Sequence, residues 1–159
     1  MIDPESLIQL YDYNLRLVDK QVSTMTHEQS LPIVGGYNIN WLVGHVISGR
    51  QRVLERLSIP HIWTPEQRAP YMNGSMPQEK DGPGVQRLET LLETLQRSQA
   101  LIAEGLRRMT PDQFAAPTEF SQDRSMLDRF FYLQYHESFH VGQIVLIAQT
   151  LGLPGVWLT

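Results

Sequence analysis

Cysteine is absent from this sequence, which excludes a disulfide framework, a cysteine-ligated zinc or iron–sulfur centre, and a protein thiol nucleophile. No continuous apolar run approaches the roughly 18 residues that a membrane-spanning helix needs, so no membrane partner is expected. Basic residues are in deficit: 13 Lys and Arg stand against 17 Asp and Glu, a formal charge of −4. That balance argues against a nucleic-acid partner, since Arg50, Arg52 and Arg56 make only a small basic group. The first residues, MIDPESLIQLYDYN, lack a charged leader, an apolar core and a small-residue cleavage site, and a cytoplasmic protein is the expectation. A length of 159 residues suits one domain over 1–159, able to bury about two thirds of its unfolded surface without cross-links.

What is present is helical spacing. Asp3 and Pro4 open a first helix whose Leu7, Ile8, Tyr11, Leu15, Val18 and Val22 recur every three or four residues. Pro32 and the Gly35–Gly36 pair interrupt the pattern. Asn38 or Asn40 can cap a second helix carrying Trp41, Leu42, His45, Val46, Arg52, Val53 and Leu57, in which Gly44 and Gly49 permit a close neighbour. From Ser58 to Gly84 five prolines and no lasting period mark a long connection, which Trp63, Tyr71 and Met72 are expected to fold back over the helices. A third helix is expected from about Val85 to Met109, then a capped turn at Thr110–Gln113. A fourth starts after Ser125, with Asp128 at the capping-box position and Gly152 and Pro154 as stop signals. With no convincing alternating strand, the expected fold is all-α: a four-helix bundle, up-down in the simplest case, with a long connection between helices 2 and 3.

The sharpest local feature is His136–Glu137–Ser138–Phe139–His140. Residues four apart share a helix face, so the two imidazoles can converge on one ion. His45, on the inner side of the second helix, is the best third donor, and three imidazoles leave positions open for water or substrate. His27 and His61 fall in irregular stretches without a partner at useful spacing. Packed or surface histidines remain the alternative at each position. The five residues also satisfy His–Glu–x–x–His, but no His, Asp or Glu follows His140, so a protease centre is unsupported. Glu137 can serve as a catalytic group by polarising metal-bound water, can hydrogen-bond a ligand imidazole, or can simply face solvent.

Taken together, His45 within NWLVGHV, HESFHVGQI at 136–144 and the ending QTLGLP resemble the DinB/YfiT-like family of small four-helix bundles. The resemblance extends over essentially the whole chain through helix order, the long middle connection and the late histidine pair. It implies an up-up-down-down or related bundle, a divalent metal on His45, His136 and His140, and association as a homodimer. It also implies a small-molecule substrate, handled either by metal-dependent hydrolysis or by transfer with a low-molecular-weight thiol such as bacillithiol, mycothiol or glutathione. A metal-stabilised bundle without turnover, with a stress-associated binding role, is the alternative.

A three-histidine site with open positions lowers the pKa of bound water or holds an external thiol as thiolate, and the second route suits a chain without cysteine. Zinc or nickel suits imidazole donors better than iron or manganese, which favour a carboxylate. Tyr132, Gln143 and Asn40 join Glu137 as candidates for proton transfer or orientation. Trp41, Trp63, Trp157 and Phe139 are candidates for a substrate entrance, with core packing the plainer expectation for Trp41 and Phe139.

Overall fold

The computed structural model describes residues 4–118 and 121–155, with side chains described for all of these except 121–123. Asp3 and Trp157, both named above, lie outside the described residues.

Four long helices carry the core: α1 (Pro4–Val22), α2 (Ile39–Arg56), α4 (Leu88–Arg108) and α6 (Met126–Thr150). Between them lie two short helices, α3 (Pro65–Arg68) and α5 (Pro111–Ala115), each opened by a Thr–Gln capping box. Asn38, rather than Asn40, caps α2, its side-chain oxygen accepting the Trp41 N–H at 2.8 Å. Ser125 and Asp128 form the expected reciprocal box at the start of α6. α4 begins three residues later than its spacing suggests, and a distant side chain completes its first turn. His27 is fully buried and accepts the Leu88 N–H at Nδ1 (3.2 Å). His27 is therefore a helix cap, and it turns its other nitrogen toward Asp81, 3.4 Å away.

The expectation of no strand is corrected. β1 (Pro117–Thr118) and β2 (Ser121–Ser125) pair antiparallel just before α6. Strands this short and polar carry no apolar alternation, so period-two reading had nothing to detect.

Two apolar clusters set the helix directions. One gathers Val18 and Val22 of α1, Leu42 and Val46 of α2, Leu88 and Leu91 of α4, and Val141 and Ile144 of α6. The other gathers Leu7 and Ile8, Val53 and Leu54, Ile102 and Leu106, and Phe130. The start of α1 therefore lies beside the ends of α2 and α4 and the start of α6. The order is up-down-down-up, with α4 between α1 and α2, and α6 closing the ring between α2 and α1. This corrects the simple up-down reading and, of the alternatives that the resemblance implied, is a related bundle rather than the up-up-down-down one. Because α2 and α4 are parallel neighbours, the chain must return the full length of a helix between them, which is why that connection is long.

Between the clusters, one guanidinium touches all four long helices. Arg50 of α2 donates from Nε and Nη2 to the two carboxylate oxygens of Glu137 on α6, at 2.9 and 2.7 Å. Its Nη2 also donates to the Tyr11 carbonyl of α1 (3.1 Å), and Nη1 donates to the Leu95 carbonyl (3.2 Å) and Ser98 Oγ (3.1 Å) of α4. Asn14 of α1 donates to Glu137 as well (3.3 Å). Arg50 is 1% exposed and Glu137 4%, so both charges depend on this pairing. Burial, with Glu137 nearby, also holds the Tyr11 phenol well above its ordinary pKa, against the opposing pull of Arg50. Replacing Arg50 by Met should strand a buried carboxylate and cost about 3–5 kcal/mol of stability in urea unfolding. The double variant R50M/E137M should recover most of that loss, because no unpaired charge then remains.

Candidate metal centre

The site is assembled by α2 and α6 on the side of the bundle where the α2–α4 connection folds back. Helical spacing sets His136 and His140 one turn apart, and the antiparallel crossing of α2 brings His45 to them. Ring centroids are 5.4 Å apart for His45–His136, 4.7 Å for His45–His140 and 4.6 Å for His136–His140. One nitrogen from each ring lies within 4.8 Å of the other two. The Nε2 atoms of His136 and His140 are 3.3 Å apart. Two donors each about 2.0–2.1 Å from one tetrahedral ion would be about 3.3–3.4 Å apart, so this pair already has ligand spacing.

Neighbours fix which nitrogen is left for a metal. His45 Nδ1 donates to the Tyr71 carbonyl at 2.8 Å, and His140 Nδ1 donates to Gln143 Oε1 at 2.7 Å. Each bond selects the tautomer whose Nε2 carries a lone pair, which is the usual outer support of a metal-binding histidine. Trp41 stacks on His45 with centroids 4.7 Å apart and planes 9° apart, while its own indole N–H donates to the Pro70 carbonyl and Ser75 Oγ. Tyr71 is held in turn: its hydroxyl donates to Asn40 Oδ1 (3.2 Å) and accepts the Gln86 N–H (2.7 Å). Gly44 makes this possible, because a Cβ there would overlap the Tyr71 ring.

The rings are suited to bind as neutral donors. His45 is buried and the other two are half-buried. Burial is the first cause that lowers all three pKa values. His136 is pushed down to about 4, with His140, His45, Arg52 and Arg129 adding to the effect of burial. The donated bonds of His45 and His140 act in the opposite direction.

A cavity of about 190 Å³ adjoins the rings, lined in part by Tyr37, Trp41, Gly49, Arg52 and Tyr132. Gly35 and Gly36, both at positive φ, form the tight turn that delivers Tyr37 to its rim. Of the orienting candidates, Gln143 is brought to His140 and Tyr132 to the cavity wall, whereas Asn40 braces Tyr71 instead of reaching the cavity. Glu137 is neither solvent-facing nor among the cavity-lining residues, because both its oxygens are engaged by Arg50. Trp41 is buried and also lines the cavity, and Trp63 packs on Tyr71. Phe139, expected in the core, is 56% exposed: it follows Glu137 by two residues and so points away from the bundle axis. His27 caps α4, and His61 is exposed.

Sequence reasoning missed Tyr71 as the support of His45. The group used is a main-chain carbonyl in an irregular segment, so no residue type could have announced it. Arg52 was placed on the second helix and within a basic group but given no role at the site, although its spacing of seven from His45 puts both on one face of α2.

A family model described as the DinB superfamily matches residues 12–144 of this chain. No curated protein matches it.

Gly44→Ala should displace Tyr71, release His45 and weaken divalent-metal binding by at least about tenfold while leaving helix content unchanged, as read by metal titration and circular dichroism. A pH effect follows from His136. Above about pH 6.5 its ring is neutral both folded and unfolded; below that the unfolded chain takes the proton first. Stability of the metal-free protein should therefore fall as pH drops from about 6.5 toward about 4, where the folded ring also protonates. Urea midpoints measured across that range should show a shallower decline in H136Q.

Proposed function

The chain belongs to the DinB superfamily, and from that premise we propose that it is a divalent-metal enzyme acting on a small molecule, with His45, His136 and His140 as ligands. The observation that carries this reading is the pinned geometry of the rings, with Nδ1 of His45 and His140 engaged, the Nε2 atoms of His136 and His140 3.3 Å apart, and one nitrogen of each ring within 4.8 Å of the other two. Zinc or nickel suits such an all-imidazole set. An ion held there would supply Lewis acidity to a water or a thiol at the positions that the three rings leave open.

Within that class, the cavity favours transfer of an external low-molecular-weight thiol over hydrolysis. No carboxylate is found among the described residues lining the cavity, and Glu137 is committed to Arg50, so water lacks a carboxylate base. A thiol starts from an ordinary pKa of about 8.5, far below that of free water, and so ionises at the same ion with less assistance. In the transfer the thiol's proton passes to solvent, its sulfur bonds to an electrophilic carbon, and the bond from that carbon to the leaving group breaks, the leaving group taking the electron pair. The chain has no cysteine, so that sulfur arrives with the cosubstrate. Glu137 acts as a positioning residue: through Arg50 it sets the rotation of α6, and with it the direction of His136 and His140.

The protein also forms a homodimer in this reading. Leu10 and Tyr13 on α1 and Tyr135, Phe139 and Leu146 on α6 are exposed on two helices packed side by side. An apolar face shared by neighbouring helices suits isologous pairing. It lies on the first and last of the long helices.

Native protein should carry one zinc or nickel ion per chain by elemental analysis, and H45A, H136A and H140A should each lose it without losing helix. Full metal retention in all three variants would refute the site. The metal-loaded protein should consume an external thiol in the presence of small electrophiles and leave esters and amides intact. Ester or amide cleavage without thiol consumption would select hydrolysis, and metal without either activity would select the non-catalytic bundle. Light scattering should give twice the 18.3 kDa chain mass, and Y135E/L146E should halve it.

A further inference from the structure

Arg52 is the one Lys, Arg, Asp or Glu among the described residues lining the metal-site cavity, and the reading above leaves it without a task. It stands on the same face of α2 as His45, two turns along, with Gly49 between them as an open floor. Gly49 has no side chain to close that floor: the nearest outside atom to a Cβ placed there would be His136 Nδ1, at 4.0 Å. Among the described residues no hydrogen bond or ion pair engages the Arg52 guanidinium, although the side chain is half-buried. Arg68, close by, is already engaged, donating to Ser48 Oγ (3.1 Å) and to the Ser48 carbonyl (3.3 Å).

The surroundings of Arg52 are positive. Arg68 and Arg129, together with the rings of His45 and His136, all feel its charge, and Arg56 donates to its carbonyl. Glu55, the carboxylate that acts on Arg68, is exposed on the next turn, and no carboxylate lies among the described lining residues. A half-buried guanidinium with no anionic partner among the described residues, near the guanidiniums of Arg68 and Arg129, favours an anion from outside. Guanidinium geometry matches carboxylate and phosphate oxygens through paired N–H donors.

We propose that this cavity takes an anionic small molecule, with Arg52 binding a carboxylate or phosphate group of a ligand whose other end reaches the three imidazoles. The inference rests on the metal-enzyme reading and deepens it by naming the chemical class of the ligand. A volume of about 190 Å³ limits that ligand to a small acid. Arg52 is then a specificity residue at the far end of the pocket from His45.

Calorimetric titration of the zinc-loaded protein with 3-mercaptopropionate, with uncharged 2-mercaptoethanol and with inorganic phosphate tests this. The acid should bind at least about tenfold more tightly than the uncharged thiol. R52M should abolish that preference while retaining one metal per chain and the affinity for 2-mercaptoethanol, and R52K should restore part of it. Phosphate that binds and displaces the acid in wild type but not in R52M supports the same anion site and assigns it to phosphoryl ligands. Equal affinity for the two thiols in wild type, or an undiminished preference in R52M, overturns the proposal. Failure to take up metal would refute the metal reading instead. Phosphate binding to the metal-free protein, followed by Trp fluorescence, then decides the matter: loss in R52M supports the anion site, and no binding in wild type rejects it.

Discussion

The buried pairing of Arg50 with Glu137 constrains the rest of the molecule. Five N–H donors in one plane must all find acceptors once the guanidinium leaves water, and here the acceptors come from α1, α4 and α6. Apolar packing alone tolerates some sliding and rotation of helices, whereas a bidentate ion pair does not. The layer therefore supplies register to two clusters that would otherwise supply mainly cohesion.

That register reaches the metal site directly. Glu137 lies one residue after His136 and three before His140, so fixing its carboxylate on α2 fixes the azimuth of both rings. His45, five residues before Arg50 on the same helix, is set by the same contact. Final aim comes from a second tier: the Tyr71 carbonyl and Gln143 choose the tautomers, and Trp41 lies flat against His45. Asn40, Gln86 and the missing side chain of Gly44 hold Tyr71 itself in place. The long proline-rich connection is thus part of the site, and the parallel arrangement of α2 and α4 is what makes it long enough to serve.

The long helices were legible because each buries one stripe and presents conventional caps; Ser125 with Asp128 and Thr110 with Gln113 act as their spacing suggests. The three histidines were legible because two share a helix face and the third occupies an inward position. Other features were hidden for identifiable reasons. The cap of α4 comes from His27, sixty-one residues away, and no local rule reports a partner at that distance. Glu137 sits inside a familiar His–Glu–x–x–His spacing, yet one step along a helix is a rotation of about 100°, enough to turn it from the cavity toward Arg50. Phe139 looked like core by composition and is exposed by the same geometry.

By itself the sequence determined the helical periodicity, the principal breaks and the supply of imidazole without thiol, because these depend on residue type and spacing along one chain. Tertiary structure decided the up-down-down-up order, the partner of Glu137, the carbonyl behind His45 and the guanidinium of Arg52 at the cavity, unengaged among the described residues. Each of those depends on which helix faces lie against one another. A buried charge or a ring nitrogen has its chemistry set by the atoms around it, and those atoms come from distant parts of the chain.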